Sequence, residues 1–273
     1  ISHLMPDVPQ TASFDTAFHR TQTDLVRRFA LPRALFDQGI KRYGFHGLSY
    51  KSIAAQLKRI APDIAAGRVV VAHLGSGASL CGLQAGISRD TSMSFSTLDG
   101  IPMATRCGAL DPGVLIHLIK ERGMSIEAVE DMLYHRSGLL GVSGISADSR
   151  TLIASEEPGA REALELYTFR ISREIAAIAN TLGGLDGLVF TAGIGEHQPQ
   201  IRDAICNHLA WLGVKIDTAA NAQHATQIHA STSAASVLIV PTDEEQVIAD
   251  EAYSVFGTKG LPAFLPNVTG PQL

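Results

Sequence analysis

A strand-like apolar run that ends in a turn with two glycines is the first feature of this sequence that could do chemistry. The turn, Gly75-Ser-Gly77, follows Val69–Leu74. Backbone N–H groups that are free of Cβ crowding can surround phosphate oxygens in such a turn. For this pattern alone, a β-hairpin turn is the commoner explanation. Gly193-Ile-Gly195, which follows a second apolar run, has the same two interpretations.

Two side chains outside these turns have the chemistry to stabilise a transferring phosphoryl group. His46 lies between glycines in Tyr43-Gly-Phe-His-Gly47, where an exposed imidazole can donate to a phosphoryl oxygen. Arg106 lies in a short link between predicted elements, and its planar guanidinium fits phosphate geometry. Each also has an ordinary interpretation, as a core histidine bonded to a carbonyl and as a surface arginine.

Acids near predicted helix starts are open to the same two kinds of interpretation. Asp15 is an acid among aromatic and small residues, and it could also be the N-cap of a helix that begins at Ala17. Asp148 and Arg150 could be a helix-capping acid and its ion-pair partner. Considered one at a time, the structural role is favoured for each of these residues.

The elements that must position these groups are strands that alternate with helices after an antiparallel meander. This order predicts an α/β domain whose mixed sheet is covered on both faces. The predicted strands are Val69–Leu74, Ser79–Gln84, Ile87–Thr91, Gly187–Ala192 and Val237–Pro241. The predicted helices are Ala17–Phe29, Gly47–Lys58, Ala160–Leu182 and Gln200–Trp211. Two more helices lie between Pro112 and Leu133, separated by Gly123. A last helix follows Glu245 and ends near Phe256, and a coil covers Gly257–Leu273.

Ligands of such sheets bind beyond the carboxyl ends of the strands. Three predicted strands end in the glycine turn at Gly75, in Gly193–Glu196 and in Thr242–Glu245. Glycines and acids therefore collect where a nucleotide and its metal would bind.

Composition excludes several other classes of protein. The chain has 273 residues, 45% of them hydrophobic and 18% charged, with a formal net charge of −5, so it is typical of an ordinary globular protein. Its cations form no stripe that would bind nucleic acid, and no apolar run is long enough to span a membrane. The start lacks the features of a signal peptide, so we expect a cytoplasmic location. Neither a P-loop nor paired C-x-x-C occurs, and Cys81, Cys107 and Cys206 are expected to be reduced.

Taken together, the motifs resemble the acetate kinase family of the actin-like ATPase superfamily. The resemblance covers nearly all of residues 13–256, and eight ordered segments are far more specific than any one of them. The segments are Phe14–His19, Arg42–Gly47, His73–Ser79, Asp90–Met93, Thr105–Gly108 with Asp111-Pro112, Ser137–Gly144, Thr191–Glu196 and Pro241–Glu245.

This resemblance implies an actin-like ATPase (ribonuclease H-like) fold, with a mixed β-sheet flanked by helices. It implies reversible, direct in-line transfer of the ATP γ-phosphoryl group to acetate, giving acetyl phosphate and ADP with Mg²⁺, and it implies a homodimer. A propionate or short-chain acyl kinase and a nucleotide-binding dimeric module without turnover remain alternatives. A sugar kinase would need a general base for a hydroxyl acceptor, and the motifs fit it less well.

Carried over residue by residue, the resemblance assigns three catalytic residues, one metal ligand and a set of nucleotide contacts. Asp15 would be the active-site acid, His46 and Arg106 would stabilise the phosphoryl group, and Glu244 would help to hold Mg²⁺. We therefore expect these four side chains to converge on the edge where the three predicted strands end. Because the acceptor is already a carboxylate, we expect Asp15 to orient Arg106 or metal-bound water and not to act as a base. The implied contacts to ATP are His73, Leu74, Gly75, Ser76, Gly77, Asp148, Ser149, Arg150, Gly193, Ile194, Gly195, Glu196 and His197.

The sequence departs from the family pattern at two positions and at its beginning. Ser76 stands where the family usually has Asn, and Asp243 replaces a usual Asn beside Glu244. A hydroxyl can still donate to phosphate, whereas an extra charge at Asp243 could change metal affinity. We expect residues 1–16 to be the remnant of an N-terminal domain, 17–245 the ATP-binding catalytic domain, and 246–273 a terminal helix and tail that would return to the missing domain.

Overall fold

A computed structural model describes residues 3–6 and 8–257 of the chain. The strands are β1 (Arg68–Leu74), β2 (Ala78–Gln84), β3 (Ile87–Thr91), β4 (Gly187–Thr191) and β5 (Ser236–Ile239). The α-helices are α1 (Asp24–Arg27), α2 (Arg33–Asp37), α3 (Gly47–Ile60), α4 (Pro62–Ala65), α5 (Pro112–Lys120), α6 (Ile126–His135), α7 (Gly138–Ser143), α8 (Ser149–Ile153), α9 (Pro158–Leu182), α10 (Ala192–His197), α11 (Pro199–His208), α12 (Thr218–Ala222) and α13 (Glu244–Phe256). Short 3₁₀ helices cover Asp15–Thr21 and Ala210–Leu212.

The strands form one mixed sheet in the order β3-β2-β1-β4-β5. β1, β4 and β5 are parallel, with His73 opposite Thr191 and Phe190 opposite Ile239, whereas β2 and β3 are antiparallel. The carboxyl ends of the three parallel strands therefore lie at one edge, and β2 begins there at Ala78. This arrangement confirms the predicted mixed sheet.

Helices cover both faces of the sheet, because the parallel strands are apolar on both sides. Alternate residues of β1 point to opposite faces: Val70 and Ala72 belong to the larger core, with α9, and Val69 and Val71 belong to the smaller core, with α3. The apolar stripe predicted along α9 packs into the larger core, as expected for an amphipathic helix.

The predicted helix Ala17–Phe29 is wrong. The 3₁₀ helix ends at Thr21, and Gln22 and Thr23 are extended before α1 begins. The side chains of Thr21 and Gln22 bond instead to Ser88 in β3, so they fix this segment to the sheet. The N-cap interpretation of Asp15 is also wrong, because Asp15 lies inside the 3₁₀ helix and its carboxylate accepts from the N–H of Leu48 in α3 at 3.4 Å.

The last described helix, α13, packs on α3 and on the segment before the first 3₁₀ helix. Glu251 accepts from the ammonium of Lys51 at 2.6 Å and from the hydroxyl of Ser13 at 2.5 Å. Val247 is buried, whereas Tyr253 and Val255 remain exposed. The coil predicted for Gly257–Leu273 lies outside the described residues, apart from Gly257.

All three cysteines are free, and Cys81 and Cys206 are buried. Among residues 3–6 and 8–257, no helix combines the length and the apolar character that a membrane span requires.

Candidate active site

The glycine turn between β1 and β2 lies beside two of the predicted catalytic side chains. A Cβ built on Gly77 would be 3.5 Å from Nε2 of His46 and 3.8 Å from Nη1 of Arg106. The imidazole and the guanidinium therefore flank the same backbone, at the edge where the parallel strands end. A hydrogen-bonding group, His46, and a cation, Arg106, on either side of a glycine turn can together bind and stabilise an anionic group.

His46 is held by its backbone and by its neighbours in the core. It adopts the left-handed conformation, with φ of +55°, just before α3 begins. Its Nδ1 is 2.8 Å from the hydroxyl oxygen of Ser79, which also bonds to the hydroxyl of Tyr50. The ring stacks on His73, with centroids 4.2 Å apart, and His73 in turn bonds to Ser49. These contacts leave Nε2 as the ring nitrogen that faces the glycine turn.

Burial keeps both stacked imidazoles neutral. Burial lowers the pKa of His46; the Asp15 carboxylate opposes this shift, and the charge of Arg106 reinforces it. For His73, burial and then His46 lower the pKa to about 3. Arg106 is therefore the fixed positive charge beside the turn, and His46 can act there as a neutral hydrogen-bonding group.

The loop that carries Arg106 is fixed by the start of α7. The N–H groups of Leu139 and Leu140 donate to Met103 O at 2.9 Å and Ala104 O at 3.0 Å. Gly138 makes this contact possible, because its φ is +60° and a Cβ there would lie 2.1 Å from Met103 O. In the sequence, Gly138 is marked only as a glycine within Ser137–Gly144, and its role in fixing the loop becomes visible only in the structure.

Two predicted acids, Asp15 and Glu244, interact electrostatically. Burial and then the charge of Asp15 raise the pKa of the Glu244 carboxyl. Gly47 allows the close approach of Asp15 to α3, because a Cβ there would be 1.9 Å from Asp15 O. Asp243 is used as the N-cap of α13, where its carboxylate accepts from the N–H of Gln246 at 2.9 Å.

This pair of acids has the chemistry to hold a Mg²⁺ ion together with phosphate oxygens. Burial, and after it the charge of Asp15, raise the pKa of the Glu244 carboxyl, and a bound divalent cation would offset both effects. Mg²⁺ commonly takes one or two carboxylates together with phosphate oxygens. The described part of the chain contains no group of three or more His, Cys, Asp or Glu side chains arranged to hold a metal by themselves. The donor set therefore suits a metal that arrives with a nucleotide.

A cavity of about 480 Å³ opens next to the glycine turn, between the ends of β1 and β4. Eight of the thirteen predicted nucleotide contacts line it: Gly75, Ser76, Asp148, Ser149, Arg150, Gly193, Ile194 and His197. Ala104, Ala147 and Gln198 also line it and were not predicted; the amide of Gln198 donates to the hydroxyl of Ser149 at 2.7 Å.

The other five predicted contacts lie outside the lining of this cavity. His73 and Leu74 are buried in the sheet, and Gly77 faces His46 and Arg106. Gly195 is buried, and the Glu196 carboxylate turns back to accept from the N–H of Ala192 at 2.8 Å. Asp148 lines the cavity and also caps α8 and pairs with Arg150, as its structural interpretation predicted.

The buried histidines should make the fold sensitive to acid. His19 bonds to Phe45 O and to Ser88, and burial lowers its pKa to about 4, against about 3 for His73. An unfolded histidine takes up a proton near pH 6.5. Below that pH the unfolded chain binds more protons than the folded one, so stability falls as pH falls. We expect His19 and His73 each to lower the free energy of unfolding by roughly 2 kcal/mol as the pH falls from about 7 to 5. Urea denaturation at several pH values measures this loss.

One substitution checks this prediction. His19→Gln should remove the share of the pH dependence that His19 contributes. If the stability of His19→Gln fell with pH as steeply as that of the unsubstituted chain, the explanation would be wrong.

A family model described as the acetokinase family matches residues 1–250. The chain belongs to this family. The acetate kinase of Rhodopseudomonas palustris strain CGA009 is 53% identical over 252 residues, which cover 91% of this chain and 63% of the relative. The acetate kinase of Methylocella silvestris is 50% identical over 244 residues, which cover 89% and 60%. The chain thus spans about three fifths of the length of these curated acetokinases.

Solved structures of an acetate kinase and a propionate kinase have the same fold. The crystal structure of Porphyromonas gingivalis acetate kinase matches with a TM-score of 0.88 at 35% identity, covering 93% of this chain and 66% of that one. A propionate kinase from Francisella tularensis matches with a TM-score of 0.87 at 37% identity, covering 92% and 65%. The predicted actin-like ATPase fold is confirmed.

Proposed function

We propose that this chain is the nucleotide-binding and phosphoryl-transferring part of an acetate kinase. It would transfer the γ-phosphoryl group of ATP to acetate, reversibly, to give acetyl phosphate and ADP. The observation that carries this proposal is the placement of Arg106 and His46 over the glycine turn, beside the cavity of about 480 Å³. Membership of the acetokinase family supports the same substrates. ATP and ADP are abundant in the cytoplasm, where we expect the protein to act.

The nucleotide would occupy the large cavity, with its phosphates directed towards the glycine turn. Gly75, Ser76 and Gly193 line the cavity on the side of the strand ends. The hydroxyl of Ser76 can donate to phosphate as the usual family Asn would. Asp148 and Arg150 also line the cavity, and the nucleoside would lie beside them.

Phosphoryl transfer requires positioning and charge neutralisation more than covalent help from the protein. A carboxylate oxygen of acetate attacks the γ-phosphorus, and the bond from that phosphorus to the bridging oxygen of ADP breaks. No proton has to be removed, because acetate is ionised at neutral pH. Arg106 would stabilise the charge on the transferring group, and Nε2 of His46 would donate a hydrogen bond to it.

Asp15 and Glu244 would hold Mg²⁺, which when bound neutralises negative charge on the β- and γ-phosphates. Asp15 is also placed to fix the charged groups around the reacting phosphoryl group, since it interacts electrostatically with His46 and Glu244. In this role Asp15 acts through its charge and its position.

Asp15→Asn is expected to lower kcat by roughly 100-fold, because the amide keeps the shape of the side chain but loses its charge. The concentration of Mg²⁺ needed for half-maximal rate should rise as well. Asp24→Asn, on the exposed start of α1, is a matched control that should keep both values. Near-normal turnover of Asp15→Asn would refute the proposed role.

The decisive experiment is a hydroxamate assay of this 273-residue chain with ATP, Mg²⁺ and acetate, with the R. palustris acetate kinase as positive control. Propionate and butyrate as acceptors test the alternative of a broader short-chain acyl kinase. Calorimetric titration with ADP and Mg²⁺ is measured in parallel. Acetyl phosphate formation supports the proposal, whereas ADP binding without turnover would favour the alternative, a nucleotide-binding module. Failure to bind ADP would overturn both.

Homodimerisation is part of the same proposal. α5 contains no buried residue, and its apolar side chains Val114, Ile116 and Ile119 are exposed in the single chain. A second copy that covers this surface would remove these side chains from water. Sedimentation velocity should show a dimer that Ile116→Asp weakens, and a chain that stays monomeric at high concentration would contradict this part of the proposal.

A further inference from the structure

A second cavity, of about 280 Å³, lies apart from the candidate active site. Three cationic side chains line it: Arg20 at the end of the first 3₁₀ helix, Arg27 at the end of α1, and Lys41 in the segment before α3. Thr16, His19 and Tyr43 complete the lining, which shares no residue with the larger cavity. We call this space the basic cavity.

The lining of the basic cavity contains three cations and no carboxylate. The charge of Asp15 reaches the His19 ring from outside the lining. In the ion pairs found within residues 3–6 and 8–257, Arg20, Arg27 and Lys41 do not take part. Three like charges around one space repel each other unless an anion lies between them. This local excess of positive charge contrasts with the formal net charge of the chain, which is −5.

The contacts that these three side chains make leave their charged groups able to bind an anion. Arg27 donates only from Nε, to Arg42 O at 3.5 Å, which leaves its terminal nitrogens for another acceptor. The ammonium of Lys41 lies 5.5 Å from the centre of the Phe36 ring, and a contact with a ring face does not use up its N–H donors. Arg20 is exposed at the rim.

The uncharged part of the lining limits what can bind. Both ring nitrogens of His19 are already engaged, with Ser88 and Phe45, so this ring is a neutral wall. The hydroxyl of Tyr43 donates to Gly39 O at 2.7 Å, whereas Thr16 has a hydroxyl that can donate to an anion. The volume corresponds to roughly nine water molecules, enough for a phosphate group with a small organic substituent and too small for a nucleotide.

We propose that the basic cavity binds a small phosphate dianion, held by Arg20, Arg27 and Lys41. Arginine and lysine at the ends of separate segments suit the several oxygens of one phosphate. This site is additional to the proposed kinase function and does not depend on it.

An anion there would join the two segments that carry active-site groups. The 3₁₀ helix has Asp15 at its start and Arg20 near its end, and Lys41 lies on the segment that leads to His46. The N–H of Arg42, next to Lys41, already donates to Arg27 O at 2.8 Å, so α1 and the segment before α3 are in contact at this point. A phosphate between them would add a charge-assisted link, and the folded state should become more stable when it binds.

The test is a titration of the chain with inorganic phosphate and, separately, with glycerol 3-phosphate, at an ionic strength fixed with NaCl. Saturating ADP and Mg²⁺ are present, so that the larger cavity is occupied. Calorimetry should show binding, and Tm should rise by about 2–4 °C. Binding of both ligands means that the site accepts phosphoryl groups in general, and binding of inorganic phosphate alone means that it takes the free anion; either result supports the site.

Substitutions locate the binding. Arg20→Gln and Lys41→Gln should each raise the Kd for phosphate by about tenfold or more. Arg59→Gln, which removes the same charge from the exposed end of α3, is the matched control and should not change the Kd. Because Arg20 is exposed, its variant should fold even if Lys41→Gln does not. Absence of phosphate binding, or an equal Kd in Arg20→Gln and the control, would overturn the proposal.

Discussion

Replacing Arg106 with alanine is expected to lower kcat by about 10²- to 10³-fold, with a much smaller effect on KM for ATP. The guanidinium lies beside Gly77 and His46, outside the lining of the cavity where the nucleotide would bind. It can therefore act mainly on charge that develops during transfer. Because burial keeps the imidazoles of His46 and His73 neutral, neither of them could replace this charge.

Two further variants distinguish this role from a general effect of charge. Arg106→Lys should recover only part of the rate, because lysine keeps the charge but lacks the planar fork. Arg122→Ala, an exposed arginine just after α5, should keep normal kinetics. A tenfold or greater rise in KM with unchanged kcat would mean that Arg106 serves binding alone and would contradict the prediction.

Gly138→Ala is expected to reduce both stability and turnover, although Gly138 contacts no substrate in our proposal. A Cβ at this position would lie 2.1 Å from Met103 O and 2.8 Å from Arg106 O, in a backbone with φ of +60°. The start of α7 would have to move away from the loop, and the loop would lose its hydrogen bonds to Leu139 and Leu140. Strain and lost contacts together should cost about 3 kcal/mol or more.

Gly144→Ala separates the two causes of this effect. Gly144 ends the same helix with φ of +66°, but a Cβ there would meet nothing within 4 Å. It should cost only the strain of a left-handed alanine, about 1 kcal/mol, and leave kcat unchanged. Urea denaturation and steady-state kinetics measure both variants. Equal losses of stability, or normal kcat in Gly138→Ala, would show that the contact with the Arg106 loop is unimportant.

The sheet was predictable because its strands carry strong local signals. β1 and β4 are continuous apolar runs bounded by glycines, which is typical of strands buried on both faces. Since parallel strands place their carboxyl ends at one edge, the position of the glycine turn after β1 followed from element order. The family resemblance, and not the spacing, predicted that His46 and Arg106 would lie beside this turn.

What the sequence did not reveal depends on contacts between distant segments. The helix predicted from Ala17 is interrupted because Thr21 and Gln22 bond to Ser88, a residue far along the chain. The Glu196 side chain turns back to its own backbone, although the same motif suggested a nucleotide contact. The basic cavity was also invisible, because Arg20 and Lys41 are scattered in sequence and meet only in the fold.

The junction at Glu251 has a consequence for motion of the site. This one carboxylate ties α13 to Ser13, just before Asp15, and to Lys51 in α3, which begins beside His46. Glu244 starts the same α13. The segments that carry Asp15, His46 and Glu244 are therefore coupled through one carboxylate, and we expect a displacement of α13 to be transmitted to all three side chains.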